Sequence, residues 1–360
     1  MTPRNKIITP AEALARASVR PRHAPRANVS AGLGGWLRWS LINREGREVA
    51  GGEQHNLMLN GFLDFIANNG DSGGIFGNTA TILSPHFTFS HTAVGTGSTE
   101  PAVTDTALAN EIARTSDLLS GSTSETQTAN GEYEMTWGRE FDFGEANGNL
   151  TEWGIAAGSA SSILIRELFR DEGGEPITVT KTSDEKLRLF YTLEASLSPV
   201  TLTSASFDIT NIGTINGQYM WIGGPSAGKI DLATFARIAA GLVTTNGTST
   251  PSGDAVAAVR DTTSWSYSSN VNWGATLRAD SVTMGSYTGG SYTRKVDEVQ
   301  WSTSVGNITI ATMGIGVGNS SAGNRLFGLI FLIDSGDRFA KDDLHQLTMT
   351  DYFSVSWDRA

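Results

Sequence analysis

The 360-residue sequence contains no cysteine. That excludes disulfides, thiolate nucleophiles and any zinc site built on sulfur. The fold must therefore be held by packing and strand pairing alone. Histidine is scarce, with five copies, which leaves few bases for proton transfer at neutral pH. No apolar run approaches the ~20 residues of a membrane-spanning helix. The first residues carry no secretory pattern, because Ile7 and Ile8 run into Thr9-Pro10 with no apolar stretch behind them. These absences predict a soluble chain, not exported by that route and with no membrane partner.

Basic charge is short everywhere except at one end. The formal net charge is −11. Residues 1–28 hold Arg4, Lys6, Arg16, Arg20, Arg22 and Arg26 against Glu12 alone, a local +5, so the remaining chain carries −16. An acidic body repels phosphate, which argues against a nucleic-acid partner. A basic segment on such a body points to docking on something acidic, such as another subunit. Residues 1–30 also hold Pro3, Pro10, Pro21 and Pro25 of the ten prolines. Proline fixes φ and removes a donor, so this segment reads as an extended arm with a turn or two of helix over 11–19.

What is present in quantity is glycine, 41 residues, with serine, threonine and short apolar alternations. Gly35–Ile42 reads as a strand, Asn43–Arg47 as a hairpin turn and Leu57–Ile66 as a short helix. Alternation recurs at Phe87–Phe89, Tyr133–Trp137 and Leu187–Tyr191. Helical spacing shows briefly, over Thr104–Ile112 and Leu232–Leu242. The expected fold class is mostly β, in β-sandwich or barrel-like modules with a few short helices.

Self-comparison predicts two related modules in tandem. Gly148-Asn149-Leu150-Thr151 echoes Gly306-Asn307-Ile308-Thr309, and Leu168-Phe169 echoes Leu326-Phe327, each 158 residues on. Lys181, Asp184, Leu187 and Tyr191 find counterparts in Lys341, Asp343, Leu347 and Tyr352. Upstream, the loop 97–101 resembles 247–251. The expected organisation is an arm over 1–30, a first module over 31–198 and a diverged second module over 199–360. The boundary is placed near Leu197-Ser198-Pro199.

Candidate chemistry is thin. His86 and His91, five apart on a strand, face opposite ways and cannot share a metal. His345 lies beside Asp342 and Asp343 and reads as a surface residue. Gly224-Pro225-Ser226-Ala227-Gly228 fits a nucleophile elbow, but no alternating strand–helix pattern surrounds it. The acids Glu132, Glu134, Glu140 and Asp142, like Asp297 and Glu298, read as a solvated strand face rather than a glycosidase pair. No phosphate loop, calcium loop or cofactor motif is present. Catalytic, cofactor and metal sites are all expected to be absent. The nine tryptophans read mainly as core, with Trp265 and Trp273 in a Ser/Asn-rich stretch as candidates for stacking on a glycan.

One loop carries a resemblance. Ala93-Val94-Gly95-Thr96-Gly97-Ser98-Thr99-Glu100-Pro101, then Thr104-Asp105-Thr106-Ala107-Leu108 and Glu111, resembles a pattern in virion proteins of tailed bacteriophages. There the loop opens a short helix. Thr151-Glu152-Trp153-Gly154 and Arg166-Glu167-Leu168-Phe169 are similar to the same group. The resemblance covers roughly residues 36–197. The second half departs from it, since no Thr-Asp-x-Ala-Leu follows Pro251. It implies a structural role in a virion, as tail fibre, collar appendage or head decoration. It implies a symmetric oligomer, with copies of itself and other virion proteins as partners, and neither catalysis nor cofactor. Two alternatives stand beside it. One is a module binding carbohydrate or a host receptor; the other is an enzyme, a hydrolase at Ser226 or a glycan depolymerase.

Overall fold

The computed structural model describes residues 28–68, 89–209, 212–223, 230–243, 256–261, 266, 268, 278–318 and 325–360. Among them the chain is mostly β, with twenty-two strands and two helices. It divides into two compact units. The described residues of the first are 32–66, 89–196 and 358–360, and those of the second lie mainly in 197–357.

The first unit is built on β1 (Asn28–Asn43), β2 (Glu48–His55), β3 (Leu57–Met58), β4 (His91–Gly95), β5 (Glu111–Thr115), β6 (Ser124–Ala129), β7 (Glu132–Phe141), β8 (Gly148–Leu150), β9 (Glu152–Ala156), β10 (Ile163–Leu168), β11 (Val179–Lys181) and β12 (Glu185–Ser198). Helix α1 (Asn60–Asn68) follows β3. One run of strands has the order β2-β1-β12-β7-β6, a five-stranded sheet has the order β3-β10-β9-β4-β5, and β8 pairs with β11.

Strand β7 shows why this sequence makes a sheet. Tyr133, Met135 and Trp137 alternate with Glu132, Glu134 and Thr136, so one face is buried and the other is wet. Leu187, Leu189, Tyr191 and Leu193 do the same on β12. Trp137 meets Tyr191 edge to face at 5.1 Å between ring centroids. The β1–β2 hairpin closes at the expected turn, with Asn43 N donating to Arg47 O and Gly46 at φ +78°. Strand β1 begins at Asn28, so residues 28–30, expected as part of the arm, are strand. Residues 1–27, with Arg4, Lys6, Arg16, Arg20, Arg22 and Arg26, lie outside the described residues, as do Phe87-Thr88, Trp265 and Trp273.

The second unit holds β13 (Thr203–Ile209), β14 (Gly213–Trp221), β15 (Val256–Arg260), β16 (Ser281–Met284), β17 (Thr293–Trp301), β18 (Thr309–Ile310), β19 (Thr312–Gly318), β20 (Arg325–Ile333), β21 (Phe339–Ala340) and β22 (Leu347–Arg359), with helix α2 (Ile230–Ala239). Their order is β15-β19-β20-β14-β13-β22-β17-β16, and β18 pairs with β21. The core gathers Phe207, Phe331 and Phe353, with Trp221 and Trp357 on either side of Phe235.

The ladders of the two units share their registers. Leu187 faces Phe141, and Leu347 faces Trp301, 160 residues on for both partners. Val179 faces Leu150, and Phe339 faces Ile310, again 160 on. In β10 against β9 the register skips Leu164, and in β20 against β19 it skips Gly328. The carbonyls of those two skipped residues accept from Leu59 N and Ile222 N, at 3.1 and 2.8 Å. Lys181 Nζ donates to Asn147 Oδ1, and Lys341 Nζ to Asn307 Oδ1. The registers therefore equate Asn147 with Asn307, two residues away from the 158-residue match read along the sequence. The Gly148-Asn149-Leu150 segment of that match is strand β8.

Two helix expectations need correction. Leu57 and Met58 pair with β10, so the helix begins at Asn60 rather than Leu57. Thr104–Ile112 forms no helix; it is loop followed by the start of β5.

Candidate functional site

The connection from β4 to β5, Thr96–Asn110, has no regular secondary structure. Loops of this length are uncommon inside compact domains and often functional. This one is held from beneath by two buried charged residues, one in each of two neighbouring strands. Glu152 opens β9, where every residue is buried, and Arg166 sits within β10, likewise buried throughout.

Glu152 is fully buried. Its Oε1 accepts from Gly97 N at 3.0 Å and Asn110 N at 2.7 Å. Its Oε2 accepts from Ala109 N at 2.9 Å, and from Arg166 Nε and Nη2 at 3.1 and 2.9 Å. Arg166 also donates to Thr99 O at 2.8 Å and to the Asp105 carboxylate. Asp105 Oδ2 in turn accepts from Ala102 N at 3.0 Å. Burial opposes the charge on Asp105, but the Ala102 amide and the Arg166 guanidinium outweigh it and hold its carboxyl below the usual range.

Further bonds fix the rim. Thr151 Oγ1 donates to Gly97 O, Ile163 N to Thr106 O, and Asn60 N to Val103 O. Leu108 packs with Leu59, Ala93, Ala156 and Ile163. Position 97 requires glycine: a Cβ there would lie 2.4 Å from Glu152 Oε1 and 2.5 Å from the Ala109 side chain. Outside the loop, Arg170 pairs with Glu100 at 2.6 Å and with Glu167 at 3.0 Å. Arg114 grips Glu111 through two bonds of 2.8 Å and donates to the carbonyls of Gly158 and Ser161.

The chemistry of this arrangement is structural. Both Glu152 oxygens and all three Arg166 nitrogens are used internally, so the pair presents neither a free base nor a free cation. A buried ion pair is poor evidence for stability but is suited to selecting one conformation of a chain. The cost of desolvating it is spent on fixing the course of Thr96–Asn110. In the second unit the register places Thr312 and Ile330 where the first has Glu152 and Arg166, and both are fully buried. At those two positions the second unit carries no charged side chain.

The other sequence candidates are scattered. Ser90 Oγ lies 2.8 Å from His91 Nδ1 but donates to Ala157 O. Burial, then Arg114 and Arg139, lower the His91 pKa. His345 is exposed and lies 2.6 Å from Asp342. Glu140 is bound by Lys186 and Arg188 at 2.9 and 2.8 Å, and Asp142 by Lys186 at 3.0 Å. Glu132 stands apart, its carboxyl raised by burial and by the nearby Glu194. Among the described residues no His, Asp or Glu group is arranged to hold a metal ion, and no helix is long and apolar enough to cross a membrane. His86, Ser226, Trp265 and Trp273 lie outside the described residues.

The motif residues Gly97, Asp105, Glu152 and Arg166 are thus brought together, although they span 70 positions of sequence. Their mutual contact was missed in the sequence. The available signal was a glutamate and an arginine set among apolar residues, at the start of β9 and within β10 of the same module. No protein-family model, curated protein or solved structure matches the chain.

Proposed function

We propose that the chain is a structural component of a tailed-bacteriophage particle. It is built from two diverged copies of one β module and assembles through its basic arm and its loops. One observation carries this reading. The residues behind the virion-protein resemblance converge on a network whose polar groups are consumed in holding an exposed loop. An active site would leave reactive groups facing solvent or a cleft; this network leaves none.

The shared registers support the duplication, since matched pairings, a matched skipped residue and a matched lysine–asparagine bond are independent of composition. The arm residues Arg4, Lys6, Arg16, Arg20, Arg22 and Arg26 supply the charge to dock on an acidic neighbour. The test is incorporation into particles. Full-length chain is expected at fixed copy number in purified virions. A chain lacking residues 1–27 is expected to fold, by circular dichroism, but to be depleted from particles several-fold. Equal incorporation of the truncated chain would remove the docking role of the arm.

A further inference from the structure

The chain has no cysteine and so no disulfide, yet both units hold a pair of groups able to form a different covalent link. Lys181 and Lys341 are buried, at 1 % and 5 % exposure. The nearest acceptor to each Nζ is an asparagine side chain 34 residues upstream. Lys181 Nζ lies 3.1 Å from Asn147 Oδ1, and Lys341 Nζ lies 2.9 Å from Asn307 Oδ1. From this geometry we infer that each unit closes an intramolecular isopeptide bond, Lys181 to Asn147 and Lys341 to Asn307, with the hydrogen-bonded clasp as the state before reaction.

The reaction needs a neutral amine beside an amide carbon. The oxygens that accept from the two lysines are all neutral: Asp142 O, Asn147 Oδ1 and Thr182 O in the first unit, Asn307 Oδ1 and Asp342 O in the second. Burial lowers the pKa of both lysines although acids surround them. A desolvated lysine of this kind is a nucleophile. The hydrogen bond to Oδ1 holds Nζ next to Cγ, which replaces a bimolecular encounter by an intramolecular one. In the step, the Nζ lone pair forms a bond to Cγ and the Cγ–Nδ2 bond breaks. One amine proton moves to Nδ2, which leaves as ammonia, and nothing is oxidised or reduced. The carboxylates nearest in effect, Glu185, Glu145 and Asp142 for Lys181 and Asp342, Asp280 and Asp343 for Lys341, are the groups that relay the proton. Both asparagines are exposed, so ammonia escapes to solvent. The pair also stands apart from the rest of the repeated module. Glu152 and Arg166 are matched by Thr312 and Ile330, whereas lysine and asparagine are present in both units at one spacing.

The experiment is mass spectrometry of the purified full-length chain, intact and after trypsin digestion. The intact chain is expected to be lighter than its sequence by two ammonia molecules. The digest is expected to contain two joined peptide pairs, one linking Lys181 to Asn147 and one linking Lys341 to Asn307. Lys181→Arg and Lys341→Arg keep hydrogen-bond donors but not a nucleophile, and each is expected to restore one ammonia and abolish one joined pair. A chain of full sequence mass, still so after incubation at mildly alkaline pH, overturns the proposal. Ammonia loss without a joined pair overturns it too, since Asn147 precedes Gly148 and a succinimide at that step loses the same mass. A single joined pair confines the bond to that unit and overturns it for the other.

Discussion

At the scale of single residues, the account rests on Glu152 and Arg166. Replacing Arg166 with Met leaves a fully buried carboxylate without its cation, and should cost about 3–5 kcal/mol of unfolding free energy. The double variant Glu152→Thr with Arg166→Ile copies the second unit's residues. It should recover much of that loss, because an uncharged pair carries no cost of burying charge. It should also lower hydrogen-exchange protection at Gly97, Ala109 and Asn110, whose amides donate to Glu152. Denaturant titration and exchange measured together separate the two effects. A double variant as unstable as Arg166→Met would contradict the assignment. Acid has a defined sign at Asp105. Its folded pKa is depressed, so its contribution is present above the ordinary value of 3.8 and is lost as pH falls through the lower folded value. Glu132 works in the opposite sense. Its folded pKa is raised, so charging it opposes folding as pH rises, and Glu132→Gln should shift the midpoint of denaturation upward at pH 7. A midpoint that falls instead would contradict the unfavourable Glu132–Glu194 pairing.

At the scale of elements, the lysine clasps are the clearest test of a shared module. Lys181 Nζ holds Asp142 O and Asn147 Oδ1, and Lys341 Nζ holds Asn307 Oδ1 and Asp342 O. Burial lowers the pKa of both lysines, yet the geometry uses them as donors. Lys181→Met and Lys341→Met should each cost about 1.5–3 kcal/mol, the range for hydrogen bonds to charged groups. Each should loosen its own ribbon, β8–β11 or β18–β21. Unequal effects, with one variant neutral, would argue that the shared register does not reflect a shared role. This scale also shows what was legible beforehand. Strands β7 and β12 could be read because Tyr133-Met135-Trp137 and Leu187-Leu189-Tyr191 alternate with polar residues. The helix expected over Thr104–Ile112 failed for a physical reason: the amides of Ala109 and Asn110 donate to Glu152 instead of to carbonyls one turn back. Spacing along the chain carries no record of a carboxylate arriving from a strand 42 residues beyond Asn110. The network at the candidate site was illegible on the same ground, since its parts come from β9, β10 and a loop.

At the scale of the molecule, the chain's last residues belong to its first unit. Arg359 Nε donates to Met58 O at 2.6 Å and Nη2 to Asn60 Oδ1 at 2.5 Å, and Ala360 N donates to Leu33 O at 2.8 Å. Removing residues 358–360 should therefore destabilise β1 and the start of α1 rather than the second unit, which site-resolved exchange would detect. The central claim is that this architecture serves assembly into a virion. The most direct measurement is to image purified phage particles carrying a labelled copy of the chain by electron microscopy of negatively stained samples. The account predicts label at regular, symmetry-related positions on head or tail. Particles that carry no label, with the chain free in the lysate, would contradict it.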